Sequence, residues 1–535
     1  MHKPPVLVAS DGMTPLAQSV SGAARPLRTP YRGAGFDGAD TANWFPPFVS
    51  ADGAALQGRE TASARTRDLD RNNRYVRAIV SRMVDMVIGS GLRLSANPDP
   101  RILGLDRKAA RDLGKQIEAQ FRLFAEDPLY RADARRQVTL NGQLRVLART
   151  FVSMNESGAV LKFKPEGEHF GTCLQVVDPD RISNPYGHPD TMTMRGGMES
   201  DEDGAVIAAH VRNAHPTDAF MGATAAAMTW TRVQIRDERG RPVFIHAFEP
   251  EREDQSRGVS AFAASLPALQ QLGRYSEAEL ANALLNAFMA MFIKTNRRAD
   301  EVADSMSTGP VDAAGVEQVR LAYYEKNPVR VDGVRIPVLP FDDEVTMNTA
   351  GRETGSFVDF EAALVQQIAA ATGVSYEQAT SNWSRTNYSS ARASLVEVWR
   401  TVMRLSSQFV EQAVWPIYLA FLDEAIETGR IVVPPGAPSL FEAPAGWMRA
   451  RWLGPARGYI DPVKEAQAGQ IRIEAMTSTL ERECGEQGLD IEDVLDQLAW
   501  EQDEIAARGL TRTSTAGMML VQAPTDAPTS SNAKS

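Results

Sequence analysis

Apolar residues recur at three- and four-residue steps between Thr66 and Ile88: Leu69, Val76, Ile79, Val80, Met83, Val84 and Val87. That spacing puts them on one face of a helix. Gly89-Ser90-Gly91 supplies the stop, because glycine closes helices without steric cost. Arg107 to Phe124 and Gln137 to Phe151 predict two more helices. From about Ala159 to Phe248 the period changes to two, as in Ala159-Val-Leu-Lys-Phe-Lys and Arg232-Val-Gln-Ile-Arg. Turn signals at Asp203-Gly204 and Asp237 to Gly240 separate the runs, so this section predicts short antiparallel strands.

A long helix is predicted from about Ala261 to Thr295, then a mixed region with a strand-like Val334 to Leu339. Phe357, Phe360, Leu364 and Ile368 form one apolar stripe of another helix, ended by Gly373. After the polar loop Ser381 to Asn387, a long helix runs from Tyr388 to about Thr428. Pro416 lies inside it and predicts a kink near residues 412 to 416. A last helical block covers about Asp461 to Arg508. Residues 1–60 and 511–535 are rich in small residues and proline and predict no regular structure.

The 535 residues carry 57 bases and 68 acids, a net charge of −11. That balance excludes a simple DNA-coating protein, which would be basic. The charge is uneven. Residues 461–510 hold thirteen acids against four bases, whereas residues 380–405 hold Arg385, Arg392, Arg400 and Arg404 against Glu397. Six arginines between Arg65 and Arg82 stand among Asp68, Asp70 and Asp85, a mixture suited to intersubunit or intrahelical ion pairs. Cys173 and Cys484 read as two free thiols in a reducing cytoplasm. The longest apolar stretch, Ala281 to Ile293, is interrupted by Asn282 and Asn286 and is too short to span a bilayer.

Motifs for chemistry are missing. No phosphate-binding Gly-x-x-x-x-Gly-Lys-Ser/Thr loop, no dinucleotide fingerprint and no Gly-x-Ser-x-Gly elbow occurs. The six histidines have no zinc spacing. Paired carboxylates such as Asp342/Asp343 could perform acid/base work only if the fold set their pKa values apart. An intracellular enzyme using carboxylates and His246 in the β-rich section is therefore the alternative reading. A closed pocket would mark it.

Four segments, in order, resemble the lambda-type family of tailed-phage portal proteins. They are Asp70-Arg-Asn-Asn-Arg-Tyr-Val-Arg-Ala78 with Val87-Ile-Gly-Ser-Gly-Leu92; Gln175-Val-Val-Asp-Pro-Asp-Arg-Ile182; Ile245 to Val259 with Gly273 to Leu280; and Phe360 to Ala370 through to Asn387-Tyr-Ser-Ser-Ala-Arg392. The resemblance implies a mainly helical α+β ring subunit with long stem helices. It divides the chain into an N-terminal arm (1–60), a wing (61–260), a first stem helix (261–295) and a clip (296–356). A second stem helix (357–373), a tunnel-loop region (374–390) and a long kinked helix returning to the wing (391–460) follow. A helical crown (461–510) and a tail (511–535) complete it.

The resemblance further implies a homo-oligomeric ring of twelve subunits at one capsid vertex of the virion, assembled in the bacterial host cytoplasm. Double-stranded DNA would pass through it. The terminase large subunit, the major capsid or scaffold protein and the head–tail connector would be its partners, with no membrane. It implies no catalytic activity, cofactor or metal. Asn382, Trp383, Ser384, Arg385, Thr386 and Asn387 match the position of the family's tunnel loop. Their hydroxyl, amide and guanidinium groups could touch phosphates; the competing reading is a surface loop with one buried tryptophan.

Overall fold

The computed structural model describes residues 43, 45–289, 330–331, 334–335, 355–384, 386–456 and 462–508. The chain divides into two compact units, Met1–Ala54 and Ala55–Ser535. In the first, the described residues before Ala51 form no helix or strand, and a helical turn begins at Ala51.

The helix expected over 66–88 is two helices, α1 (Arg59–Asn72) and α2 (Arg74–Val87). Asn73 breaks them. Its backbone is extended, and its side chain accepts from the N–H groups of Tyr75 and Val76 at 2.9 and 3.2 Å. An asparagine oxygen satisfies first-turn donors in this way, so Asn73 caps α2. Three arginines of this region form ion pairs between elements of the chain. Arg67 pairs with Asp178 and Asp180, Arg74 with Glu361 and Arg77 with Asp70, joining separate elements of one chain.

Strand β1 (Arg93–Ala96) is followed by α3 (Arg107–Ala125) and α4 (Leu140–Met154). The β-rich section forms two antiparallel sheets. Strands β2 (Glu156–Phe163) and β3 (Thr172–Val177) pair with the later β8 (Phe244–Phe248) in the order β3-β2-β8. Between them β4 (Met194–Arg195), β5 (Met198–Ser200), β6 (Val206–Arg212) and β7 (Trp230–Gln234) make a four-stranded meander. It has its own small core of Val177, Ile182, Met198, Ala209 and Val211 against Phe244.

Helix α5 (Leu266–Met289) starts five residues later than expected. The region between it and α6 (Gly355–Thr372) is described only as the two-residue pair β9 (Arg330–Val331) and β10 (Val334–Arg335). The rest of the expected clip lies outside the described residues. Gly373 closes α6 in the left-handed region (φ 74°), with the Val374 N–H returning to the Ala369 carbonyl at 3.1 Å. A short helix, α7 (Tyr376–Thr380), precedes the polar loop; the apolar periodicity did not mark it, although Ser375-x-x-Gln378 is a capping signature.

Then α8 (Tyr388–Phe409) passes through one π-helical turn, Val410–Val414, into α9 (Trp415–Glu427). The irregularity falls where Pro416 predicts it. Proline cannot donate to the preceding turn, and the wider turn absorbs the mismatch. Every residue of α9 from Ile417 to Ala425 is buried, Asp423 and Glu424 included. Glu424 is satisfied by the N–H groups of Gly171 and Thr172 at 2.5 and 2.8 Å, which ties α9 to the start of β3.

Strand β11 (Ala450–Leu453) returns to pair with β1, Arg93 opposite Leu453. Three helices end the described chain: α10 (Pro462–Glu474), α11 (Leu480–Glu486) and α12 (Ile491–Ala507). One large core runs through α2, α3, α4, α8, α9 and the three-stranded sheet.

Glu156, fully buried at the start of β2, holds the centre of the β-rich part. One carboxylate oxygen takes Arg257 and His246 (2.7 Å), the other takes Arg59. Burial alone would raise its pKa, but Arg257, then Arg59 and His246, hold it well below the usual carboxylate range. Replacing Glu156 with Gln strands two guanidinium groups away from water. We expect a loss of about 3–5 kcal/mol, read as a lower denaturation midpoint in urea.

Glu118 on α3 shows the opposite behaviour. Burial pushes its pKa up to about 7, although the Ala96 N–H donates to it at 2.6 Å. Between pH about 4.5 and 7 the folded chain therefore binds more protons than the unfolded one. Stability from this group falls as pH rises through that window and stays low above it. Glu118→Gln is expected to melt like the parent at pH 4.5 and higher than the parent at pH 8, by thermal scans at both values.

Candidate functional site

The loop between α7 and α8 is built by capping at both ends. Ser375 and Gln378 form a reciprocal cap that starts α7. Ser381 ends it in the left-handed region (φ 59°), and its hydroxyl meets Arg82 of α2. Asn387 caps α8, accepting from the Ser390 N–H at 2.9 Å. Inside, the Asn382 side-chain oxygen (Oδ1) accepts from both the N–H and the hydroxyl of Ser384, at 3.1 and 2.7 Å. The Thr386 hydroxyl donates to Glu377 at 2.9 Å, and its N–H to the Trp383 carbonyl at 3.2 Å. Four of the six predicted residues thus spend polar groups on shaping the loop. Trp383 is 42% exposed and is no core tryptophan. Arg385 lies outside the described residues.

Five acids of the acidic block are paired with bases from elsewhere in the chain. Glu492 meets Arg111 and Lys115, Asp493 meets Arg93 and Arg122, and Asp496 meets Lys115 at 3.0 Å. Glu481 pairs with Arg451 and Glu465 with Arg392. Within the block, Arg472 holds Glu483 at 2.7 Å and lowers its pKa to about 2. The excess of acid counted along the sequence is compensated in the fold at these positions. The sequence counted charges but could not see that α3, β1 and β11 face them with bases.

The enzymatic alternative meets a closed group. His246 does contact a carboxylate, but Glu156 is fully buried and both its oxygens are taken by Arg59, Arg257 and His246. Burial, more than the adjoining guanidinium groups, pushes His246 below the usual imidazole range, against the pull of Glu156. The cluster braces strands and leaves no face for a substrate. Asp178, Asp180 and His215 bring ligand atoms within 4.8 Å of one another. Arg67 already occupies this cluster, bonded to Asp178 at 2.9 Å and 3.0 Å from Asp180. Among the described residues, no helix is long and apolar enough to cross a membrane.

Residues 37–405 match the family model described as phage portal protein, lambda family. The portal protein of Escherichia phage N15 is 32% identical over 523 residues, 95% of this chain and 94% of that protein. Portal protein B of Escherichia phage lambda is 31% identical over 522 residues, with the same two shares. Among solved structures, a chain in the virion of a native gene transfer agent particle aligns at a TM-score of 0.41 and 13% identity, covering 83% of this chain and 99% of that one. With most of its length inside that family model and two relatives matched nearly end to end, the chain belongs to the lambda family of phage portal proteins.

Proposed function

We propose that this chain forms a homo-oligomeric ring, of twelve subunits, through which double-stranded DNA is packaged into and ejected from a capsid. The observation that carries the reading is the near end-to-end similarity to two portal proteins. The structure supplies physical support. Helices α5 and α6 leave Leu280, Leu284, Val358 and Phe360 exposed in the single chain. Apolar side chains on long helices are covered when neighbouring copies close into a ring.

In this reading α5 and α6 are the stem, with the intervening residues as clip, docking first the terminase large subunit and then the head–tail connector. The β-rich part is the wing, α10–α12 the crown, and the N-terminal arm contacts the major capsid or scaffold protein. The protein resides in the virion after assembly in the host cytoplasm, and no catalytic step is assigned to it. Loop 381–387 is the tunnel loop: capped at both ends, with Trp383 standing out of it.

Purified protein is expected to form rings in negative-stain electron microscopy; a strictly monomeric chain under assembly conditions would overturn the reading. Replacing Trp383–Thr386 by a Gly-Ser linker, with Asn387 kept to cap α8, should leave the rings intact. Packaged DNA per particle should drop at least tenfold, measured as nuclease-protected DNA. Unchanged packaging removes the loop from the mechanism.

A further inference from the structure

Helix α12 is held to the rest of the chain in an unusual way. None of its residues is buried. Its contact with α3 is ionic, made by Glu492, Asp493 and Asp496. The α3 face opposite is a row: Arg107, Arg111, Lys115, Glu118 and Arg122 follow one another at steps of four, four, three and four. Those steps keep the side chains on one side of the helix over about 22 Å. Arg93 of β1 joins the row beside Arg122, since both reach Asp493. An open cleft of about 400 Å³ runs along the contact, lined by Arg107, Arg111, Lys115, Glu118 and Glu492, with Arg449 and Glu481 also at its wall.

A row of cations of that length faces on the order of six phosphates per strand of a duplex. Side chains 43–55% exposed even when paired are within reach of such a ligand. Glu118 interrupts the row only weakly near neutrality, because burial keeps it partly protonated.

We propose that α12 is an intramolecular polyanion that covers a phosphate-binding row, Arg93, Arg111, Lys115 and Arg122, and withholds it from duplex DNA. The inference rests on the reading that DNA is the cargo. A cargo that must slide is slowed by every phosphate a fixed cation neutralises, since each such contact releases counterions and tightens binding. Acids supplied by the chain itself remove those contacts without removing the bases that dock the helix.

The test uses the full chain and a 30-bp duplex in fluorescence anisotropy, at about 50 and 200 mM salt. The variant Glu492→Gln/Asp493→Asn/Asp496→Asn is expected to bind at least tenfold more tightly than the parent at the lower salt. Its salt slope should steepen by about 3–4, one for each base uncovered. Adding Arg111→Gln and Lys115→Gln to that variant should abolish most of the gain. Hydrogen exchange over residues 491–507 should be faster in the triple variant, with the remainder of the chain unchanged. Two results overturn the proposal: unchanged affinity in the triple variant, whether or not α12 is released, or a gain that survives loss of Arg111 and Lys115. The second would reduce the effect to total charge. Microscopy of the same samples keeps the two readings apart, because absent parental rings count against the portal assignment and leave the binding comparison intact.

Discussion

The buried carboxylate of Glu156 is the point on which the β-rich half depends. It stands where β2 leaves α4, and its ligands come from three other places: Arg59 at the first residue of α1, His246 on β8, and Arg257 in the segment that leads to α5. Arg257 also donates to the carbonyls of Ile182 and Pro179, at 2.8 and 2.9 Å. One carboxylate therefore registers the entry helix, the three-stranded sheet and the meander against each other. Removing four polar groups from water is costly unless each is bonded, and here each is. Through Arg257 the cluster also ties the segment that leads into α5 to the sheet.

Ionic contacts of a different kind govern the C-terminal helices. The pairs of α12 are half-exposed, and exposed pairs contribute about 0–1 kcal/mol each and weaken with salt. The Glu156 group is sealed; the α3–α12 seam is open to ions. One chain thus uses arginine–carboxylate pairing both as a rivet and as a contact that ionic conditions can loosen, and burial decides which.

How much of this was legible follows from which interactions are local. The α2 stripe, the stop at Gly373 and the irregularity before Pro416 depend on neighbours in sequence, and the pattern carries them. The break at Asn73 was also local: an Asn-Asn pair inside an arginine-rich run is a capping signal that the continuous apolar stripe hid. The β1–β11 pairing joins residues more than 350 positions apart, and nothing in either strand names the other. The same holds for Glu156, whose ligands lie roughly 90 to 100 residues away on both sides. In the loop, residue types announced polarity, but not that Asn382, Ser384, Thr386 and Asn387 bond inward.

That last distinction changes how the charge of this chain should be read. A count of thirteen acids against four bases in residues 461–510 suggests a surface that repels DNA. Placed in the fold, five of these acids meet Arg93, Arg111, Lys115, Arg122, Arg392 and Arg451 from outside the block. The field a phosphate feels is the sum over both partners, and at separations near 3 Å that sum falls off much faster than either charge alone. Part of the excess of acid is thus matched to bases on α3, α8, β1 and β11. For the proposed DNA cargo, such pairs would neither hold a duplex nor push it far.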